Sequence, residues 1–470
     1  MSFVSTSFVF FASAFLALYF ATPARFRPYA ILAGSYVFCA FFSWTFLAVL
    51  LLSTAVNYAC LFAMKQAPSR ARHALVAGVV LNVALLAAFK YVNFLRASYA
   101  SALTFIGLDT SYESLAVMVP IGISFYTFQA ISVLVDVYRG KLRTPSPFEL
   151  AFLLAFWPKL IAGPIVRGTK LIPQIGRGQR FRWVNIWLGA ESIIYGLALK
   201  TMLADYLAPE VNKVYNNPGA YSAIDNLVAV LLYTFQIYGD FAGYSLMAIG
   251  LARIIGFTIA PNFRRPNFAT SFADFWRRWH ISLSTFLGEY VYRSMPYKGP
   301  REYVRSRNTI WTMLISGLWH GPAWTFVTWG GMHGVLLVAG RQVSRVTAPV
   351  LARSRRLALA SVPLQIATVF TLVAVTRVFF RSGSFEEAWT VLHRIADGPM
   401  RLGDLQNKLA VFVCFGIIAG VTACEAAVEY GLWTKWKRFR PIRVAWPVCV
   451  LLATLVLGEF EGGQFVYVRF

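Results

Sequence analysis

The chain is short of charge, shorter still of acid, and has no stretch polar enough to stand as a separate soluble domain. Only 14% of its 470 residues are charged, against about 25% in a typical soluble domain. Asp and Glu number 20 and Lys and Arg 44. There is no Gly-x-x-x-x-Gly-Lys phosphate loop and no serine-hydrolase elbow, so ATP hydrolysis and a serine nucleophile are not indicated. The cysteines, Cys39, Cys60, Cys414, Cys424 and Cys449, lack metal-ligand and disulfide-framework spacing and read as small buried hydrophobes. No His-x-x-x-His pair or acidic neighbour stands at zinc-ligand spacing, so no metal is expected. No internal repeat and no long linker divides the chain, and residues 1–470 read as one transmembrane domain.

What is present is apolar: 58% hydrophobic and 16% aromatic. Runs of about 18 to 22 such residues recur along nearly the whole length, the signature of a polytopic all-α membrane protein. The net charge of +24 is carried by short segments between these runs. That is the positive-inside pattern, with attraction to anionic lipid, and no nucleic-acid partner is implied. The first run, 3–20, has no basic segment before it and is long for a signal peptide, so it reads as a retained span.

Loop charge then sets the topology. Arg25 and Arg27 follow the first span, which puts the N-terminus outside. Runs 29–40 and 46–64 return to Lys65, Arg70 and Arg72 inside, with a solvated His73. Run 74–95 leads out to Asp109 and Glu113, and 115–138 returns to Arg139, Lys141 and Arg143. Segment 150–166 has basic residues at both ends, Arg167, Lys170, Arg177, Arg180 and Arg182 following it, and is too short for two crossings. It is expected to be a re-entrant or shallow helix pair. Run 183–204 goes out to Asp205, Glu210 and Asp225, and 226–255 returns to Arg264 and Arg265. Residues 262–306 are too polar to span; within them, 274–279 (Asp-Phe-Trp-Arg-Arg-Trp) reads as an interfacial helix with tryptophans toward lipid. Run 359–380 goes out to Glu386, Glu387 and a surface His393, 409–430 returns to Lys435, Lys437, Arg438 and Arg440, and 444–457 leads out to Glu459 and Glu461. The total is about 10 to 11 transmembrane helices with two re-entrant or interfacial pieces.

The segment that asks for a chemical reason is 315–329, Ile-Ser-Gly-Leu-Trp-His-Gly-Pro-Ala-Trp-Thr-Phe-Val-Thr-Trp. It sets His320 between Trp319 and a Gly321–Pro322 breaker. The apolar run around it, 309–340, has positive charge at both ends and cannot make two spans of about 20 residues. The simplest path enters, turns at His320–Gly321–Pro322 and leaves, with His320 near its deepest point. An ionisable group inside a membrane is a functional hypothesis by default, and a neutral imidazole can serve as general base. His280 and His333 are the other histidines at or near that depth, each open to a plain core role. Asp240, with Gln236 one turn earlier, lies mid-span and should face the bundle, as should Asp136 and Gln129; all could equally hold helices together. Arg167 reads as an inside anchor or as a clamp on a phosphate-bearing donor, and Asp205 as a helix cap or a functional carboxylate.

With these segments in hand, the chain resembles the membrane-bound O-acyltransferase family. The matching pieces are Pro-Ile-Gly-Ile-Ser-Phe-Tyr-Thr-Phe-Gln-Ala-Ile-Ser at 120–132, Ile-Ala-Gly-Pro-Ile-Val-Arg at 161–167, Leu-Ala-Asp at 203–205 and Tyr-Thr-Phe-Gln-Ile-Tyr at 233–238. Asp-Phe-Trp-Arg-Arg-Trp-His-Ile-Ser-Leu-Ser at 274–284, Gly-Leu-Trp-His-Gly at 317–321 and the aromatic end 465–470 complete the set. The likeness is greatest to the bacterial branch that holds the membrane subunit of alginate O-acetylation and the D-alanyl-transfer protein of teichoic acid. It implies that His320 is catalytic in a tunnel through the membrane, that His280 is its companion, and that Arg167 and Asp205 are functional. It implies acetyl-CoA as co-substrate with no permanently bound cofactor, a plasma (inner) membrane location, and delivery to an exopolysaccharide hydroxyl, directly or through a periplasmic or extracellular acetyltransferase partner. D-alanyl transfer from a carrier-protein thioester, or a non-enzymatic transporter or scaffold, are the alternatives. The family's usual Phe-Asp-Phe-Ser-Gly-Tyr-Ser-Asp is altered here at Gly239, Ala242 and Leu246. Its Tyr-Ile-Pro-Leu-Gly-Gly is replaced after Tyr290 by Tyr-Arg-Ser-Met-Pro-Tyr-Lys-Gly at 292–299.

Overall fold

A bilayer leaves no water for backbone N–H and C=O groups, so a chain this apolar must pair them within its own segments. The computed structural model describes residues 3–108, 112–161, 163–176, 181–401, 408–436 and 438–460, and among them every regular element is helical. Ala162, Asp109, Arg177, Arg180, Lys437, Glu461 and the aromatic end 465–470, used above as motif or charge markers, lie outside the described residues. Among the described residues, six helical stretches are long and apolar enough to cross a membrane: Trp44–Gln66, Pro68–Phe105, Trp183–Asn216, Trp324–Ala352, Arg355–Arg381 and Lys408–Glu429. Three shorter apolar helices accompany them, Thr6–Ala21, Ile123–Tyr138 and Pro441–Leu457. The packing divides into two compact units, residues 1–190 with 248–260, and residues 191–247 with 261–470.

The first unit begins with α1 (Thr6–Ala21), α2 (Arg27–Ala40), α3 (Trp44–Gln66) and α4 (Ala71–Leu86), the last running through a π-helical turn into α5 (Val92–Phe105). Next comes α6 (Ile123–Tyr138), shorter than the expected 115–138 span. Gly122 is the reason. Its φ is 73°, and a Cβ there would lie 2.4 Å from the Leu160 carbonyl oxygen, so only glycine suits the position and the helix starts after it. Two short helices, α7 (Pro147–Ala155) and α8 (Trp157–Leu160), fall where a re-entrant or shallow pair was expected, and residues 163–167 lead without helix into α9 (Gly168–Ile175). Helix α7 starts at a capping box between Ser146 and Glu149 with Pro147 in its first turn, an arrangement that satisfies orphan N–H donors on both sides of the cap. Lys159 of α8 is buried and donates to the Gln129 side-chain oxygen on α6.

Helix α10 (Trp183–Ala198) starts in the first unit and, from residue 191 on, belongs to the second, where it continues through a π-helical stretch, Leu199–Asp205, into α11 (Tyr206–Asn216). Asp205 therefore does not end a span, as its place beside an outer loop suggested; the helix carries on through Glu210. Helix α12 (Ala223–Ile254) follows. The two pack closely because both carry glycine where they cross: a Cβ on Gly196 would lie 2.6 Å from the Gly243 carbonyl oxygen, and one on Gly239 2.8 Å from that of Leu199. Small residues at such crossings let backbones touch, which accounts for the glycine at 239.

Short α13 (Phe272–Arg278) and α14 (Ile281–Phe286) precede α15 (Arg301–His320) and α16 (Trp324–Ala352), a helical hairpin. Its turn falls at 321–323, where the sequence put it. The arms extend beyond the apolar run 309–340 at both ends. Backbone meets backbone along the hairpin: a Cβ on Gly317 would fall 2.1 Å from the Phe326 carbonyl oxygen, and one on Gly330 2.2 Å from that of Met313. Helices α17 (Arg355–Arg381), α18 (Phe385–Asp397), α19 (Lys408–Glu429), α20 (Leu432–Trp436) and α21 (Arg440–Leu457) complete the unit.

One expectation is overturned by the packing. Trp276 and Trp279 do not face lipid; they are 8% and 3% exposed and belong to the core of the second unit. Helix α13 is seven residues long, too short to lie on a membrane as an amphipathic cylinder. Its Arg278 finds Asp274 and Glu429 as ion-pair partners, so the helix docks inward with its aromatic face.

Candidate functional site

His280 stands one residue beyond the cap of α13, Trp279 being that cap, and opens α14 in the left-handed region, with φ 42° and ψ 53°. Among the described residues it and Arg265 are the non-glycine positions with positive φ. A side chain there costs about 1–2 kcal/mol and persists when its surroundings over-determine it. Those surroundings are visible. Ile281 N–H donates to the Asn262 carbonyl at 2.9 Å, and Arg264 N–H to the Arg278 carbonyl at 2.9 Å. The Asn262 side-chain oxygen accepts from Ser282 N–H at 3.2 Å and from its hydroxyl at 2.6 Å.

His320 is the last residue of α15, followed by extended Gly321. The hairpin turn and the α14 start bring the two imidazoles together, ring centroids 6.1 Å apart. Both are inside the protein, His280 at 0% and His320 at 2% exposure. Trp319 packs against both, 5.0 Å from the His320 ring and 5.8 Å from that of His280. Trp329 and Phe380 stand edge-on to His320 at 5.0 and 5.4 Å, and Phe241 edge-on to His280 at 4.5 Å. Neither ring nitrogen of His280 has a hydrogen-bond partner among the described residues, nor does Trp329 Nε1 or Ser316 Oγ. Buried polar groups left unmatched are uncommon and ask for an explanation such as a catalytic role or a bound molecule.

His333 has a different situation. Thr376 gives its hydroxyl proton to the Val373 carbonyl at 2.7 Å, so at 3.0 Å it accepts from His333 Nε2. That bond ties α16 to α17. A small cavity, about the size of one water molecule, lies between His333, Phe275, Trp279, Trp329, Arg377 and Phe380. Arg377 is buried on α17, its guanidinium 4.6 Å from the Trp279 ring centroid, and it donates to the Thr234 carbonyl at 2.9 Å.

Asp205 and Asp240 converge on a residue that the motif reading passed over. Lys200 Nζ lies 2.7 Å from a carboxylate oxygen of each, and all three side chains are at most 4% exposed. Residues 200 and 205 do not share a face of an α-helix. The π-helical stretch, whose hydrogen bonds run i to i+5, is what places them side by side. Gln236, one turn before Asp240, is also buried. Arg167 belongs to the first unit, half-buried at the residue before α9; the other nominated residues, His280, His320, Trp319, Asp205, Asp240 and Gln236, all belong to the second. Arg377 had a signal too, a charge inside the run 359–380. Among the described residues no three of His, Cys, Asp and Glu are grouped to hold a metal ion.

The family model described as the membrane-bound O-acyltransferase family matches residues 2–380. The probable alginate O-acetylase AlgI of Azotobacter vinelandii is 38% identical over 415 residues, covering 87% of this chain and 80% of that protein. The peptidoglycan O-acetyltransferase of Helicobacter pylori is 32% identical over 391 residues, 77% and 72% of the two chains. The teichoic acid D-alanyltransferase of Bacillus subtilis is 25% identical over 235 residues, 46% and 58% of the two. A family model that spans most of the chain, and relatives above 30% identity along most of their own length, make this a multi-pass membrane protein of the membrane-bound O-acyltransferase family.

Proposed function

We propose that this acyltransferase takes an acetyl group from cytoplasmic acetyl-CoA and passes it toward the outer side of the plasma membrane, to a hydroxyl of an exopolysaccharide such as alginate. The acceptor is reached directly or through a periplasmic or extracellular acetyltransferase partner. The observation that carries the chemistry is the pair of buried imidazoles, His280 and His320, with ring centroids 6.1 Å apart in an aromatic box. One reacting group placed there can touch both. His320 acts as general base: it removes the hydroxyl proton as the oxygen attacks the thioester carbonyl carbon. The C–S bond then breaks, and the CoA sulfur leaves with the proton the imidazole took up. His280 orients the reacting groups, and the Trp329 N–H, left without a partner among the described residues, is a donor available to the acyl carbonyl. Arg167 meets donor phosphate on the inside face, where a planar guanidinium suits phosphate oxygens. Lys200, Asp205 and Asp240 brace the π-helical stretch after α10 against α12 and so support the wall that presents Phe241 to His280.

The acetyl reading is favoured over D-alanyl transfer by the extent of likeness: 87% of the chain aligns with the alginate O-acetylase relative and 46% with the D-alanyltransferase. The test is transfer of labelled acetyl from acetyl-CoA by purified full-length protein in lipid vesicles, with oligomannuronate or the partner as acceptor. His320→Ala is expected to slow transfer by about 100-fold or more while leaving the protein folded. Transfer at the wild-type rate by that variant overturns the assignment of His320. Activity with a D-alanyl carrier thioester and none with acetyl-CoA overturns the donor.

A further inference from the structure

His280 holds a left-handed backbone conformation, and what keeps it there reaches well past the end of the matched family region at residue 380. Two chain segments, 262–265 and 278–282, run alongside each other and enclose His280 through the two backbone hydrogen bonds from Arg264 and Ile281. Each segment sends one arginine to the same carboxylate. Arg265 Nε donates to Glu429 Oε2 at 2.6 Å, and an Arg278 terminal nitrogen donates to Glu429 Oε1 at 2.8 Å. Arg278 Nε is meanwhile held by Asp274 at 2.9 Å. Arg265 is itself in the left-handed region, φ 48°. One carboxylate at the end of α19 thus closes both sides of the loop, and its two oxygens match two guanidinium donors, the strong charge-assisted form of hydrogen bond.

We propose that Glu429 is a positioning residue for the acyl transfer: it clamps Arg265 to Arg278 and thereby fixes the His280 imidazole against His320. The inference rests on the catalytic reading of the histidine pair. A group that acts by orienting a reacting neighbour changes the chemical step more than substrate binding, and a small misplacement is enough to cost a large factor in rate.

The experiment is a double-mutant cycle on the full-length protein in lipid nanodiscs, with labelled acetyl-CoA as donor: wild type, E429Q, H280A and E429Q/H280A. E429Q is expected to lower kcat about ten- to hundredfold with KM within about twofold, and to slow the H280A variant no further. Equal losses in both backgrounds, or an unchanged kcat, overturn the proposal. A second readout stands apart from turnover: the imidazole NMR signals of 15N-histidine-labelled protein, with His280 assigned by its loss in H280A. That signal is expected to move in E429Q, and an unmoved signal overturns the clamp. A moved signal together with wild-type transfer by H280A would leave the clamp standing and remove His280 from the chemistry instead. Should E429Q fail to fold, R278K takes its place in both measurements, since lysine keeps the charge but cannot bond Asp274 and Glu429 as a fork.

Discussion

At the scale of single residues, the second unit places charge and imidazole where they are expensive, and each placement makes a prediction. Lys200 stands between Asp205 and Asp240 with almost no exposure. Lys200→Met leaves two carboxylates buried without their cation, and breaking such a pair costs about 3–5 kcal/mol. Thermal unfolding in detergent should show this as a fall in midpoint, and an unchanged midpoint would mean water reaches the cluster. His280 separates conformation from chemistry. His280→Gly and His280→Ala both lose the imidazole, but only alanine retains the cost of the left-handed backbone. Glycine should leave the protein about 1 kcal/mol more stable than alanine does, with equally low transfer. For His320 the expected loss in kcat on substitution by alanine is about 100-fold or more, the lower range of what a positioned general base supplies.

At the scale of elements, the helical hairpin of α15 and α16 is set by backbone contact at Gly317 and Gly330. Gly317→Leu forces side-chain atoms into the Phe326 carbonyl. It should separate the arms and cost activity together with stability, unlike His320→Ala, which leaves stability in place. Comparing unfolding midpoints of the two variants decides this. Helix α7 offers a pH test. Burial by itself raises the Glu149 carboxyl, but hydrogen bonds from Arg143 and from the Ser146 backbone and hydroxyl outweigh it and hold the group below its usual value. A carboxyl with a depressed folded-state pKa stabilises the fold above its unfolded value, about 4.3 for Glu, and that stability is lost as pH falls through the folded value. Arg143 is largely exposed, so the ion pair adds little, and about 1 kcal/mol is expected from the cap. Wild type should be the more stable at pH 7 and converge with Glu149→Gln in acid; a constant gap across pH counts against the carboxylate. The interfacial reading of 274–279 failed at this scale. Alternating tryptophan and arginine look alike in sequence whether they meet lipid or protein, and only the distant Glu429 decides that Arg278 turns inward.

At the scale of the molecule, the loop charges predict an N-terminus outside and Lys65, Arg70 and Arg72 inside. In a variant lacking the native cysteines, a single Cys at position 5 should react with a membrane-impermeant maleimide on intact cells, and one at position 69 only after lysis. The reverse pattern inverts the topology. The sequence by itself determined the class: apolar runs with too few charges to be soluble can only be helices in a bilayer, and the Trp-His-Gly break announces where a titratable group goes deep. It also determined the hairpin turn at 321–323, because glycine and proline stop helices by local sterics. The spatial partners came from tertiary structure alone. Lys200 meets Asp205 only because a π-helical stretch rotates them together. His280 meets His320 only because segments 262–265 and 278–282 hold a left-handed residue in place. Local sequence encodes local geometry, whereas the pairing of groups 40 residues apart depends on packing that no single segment contains.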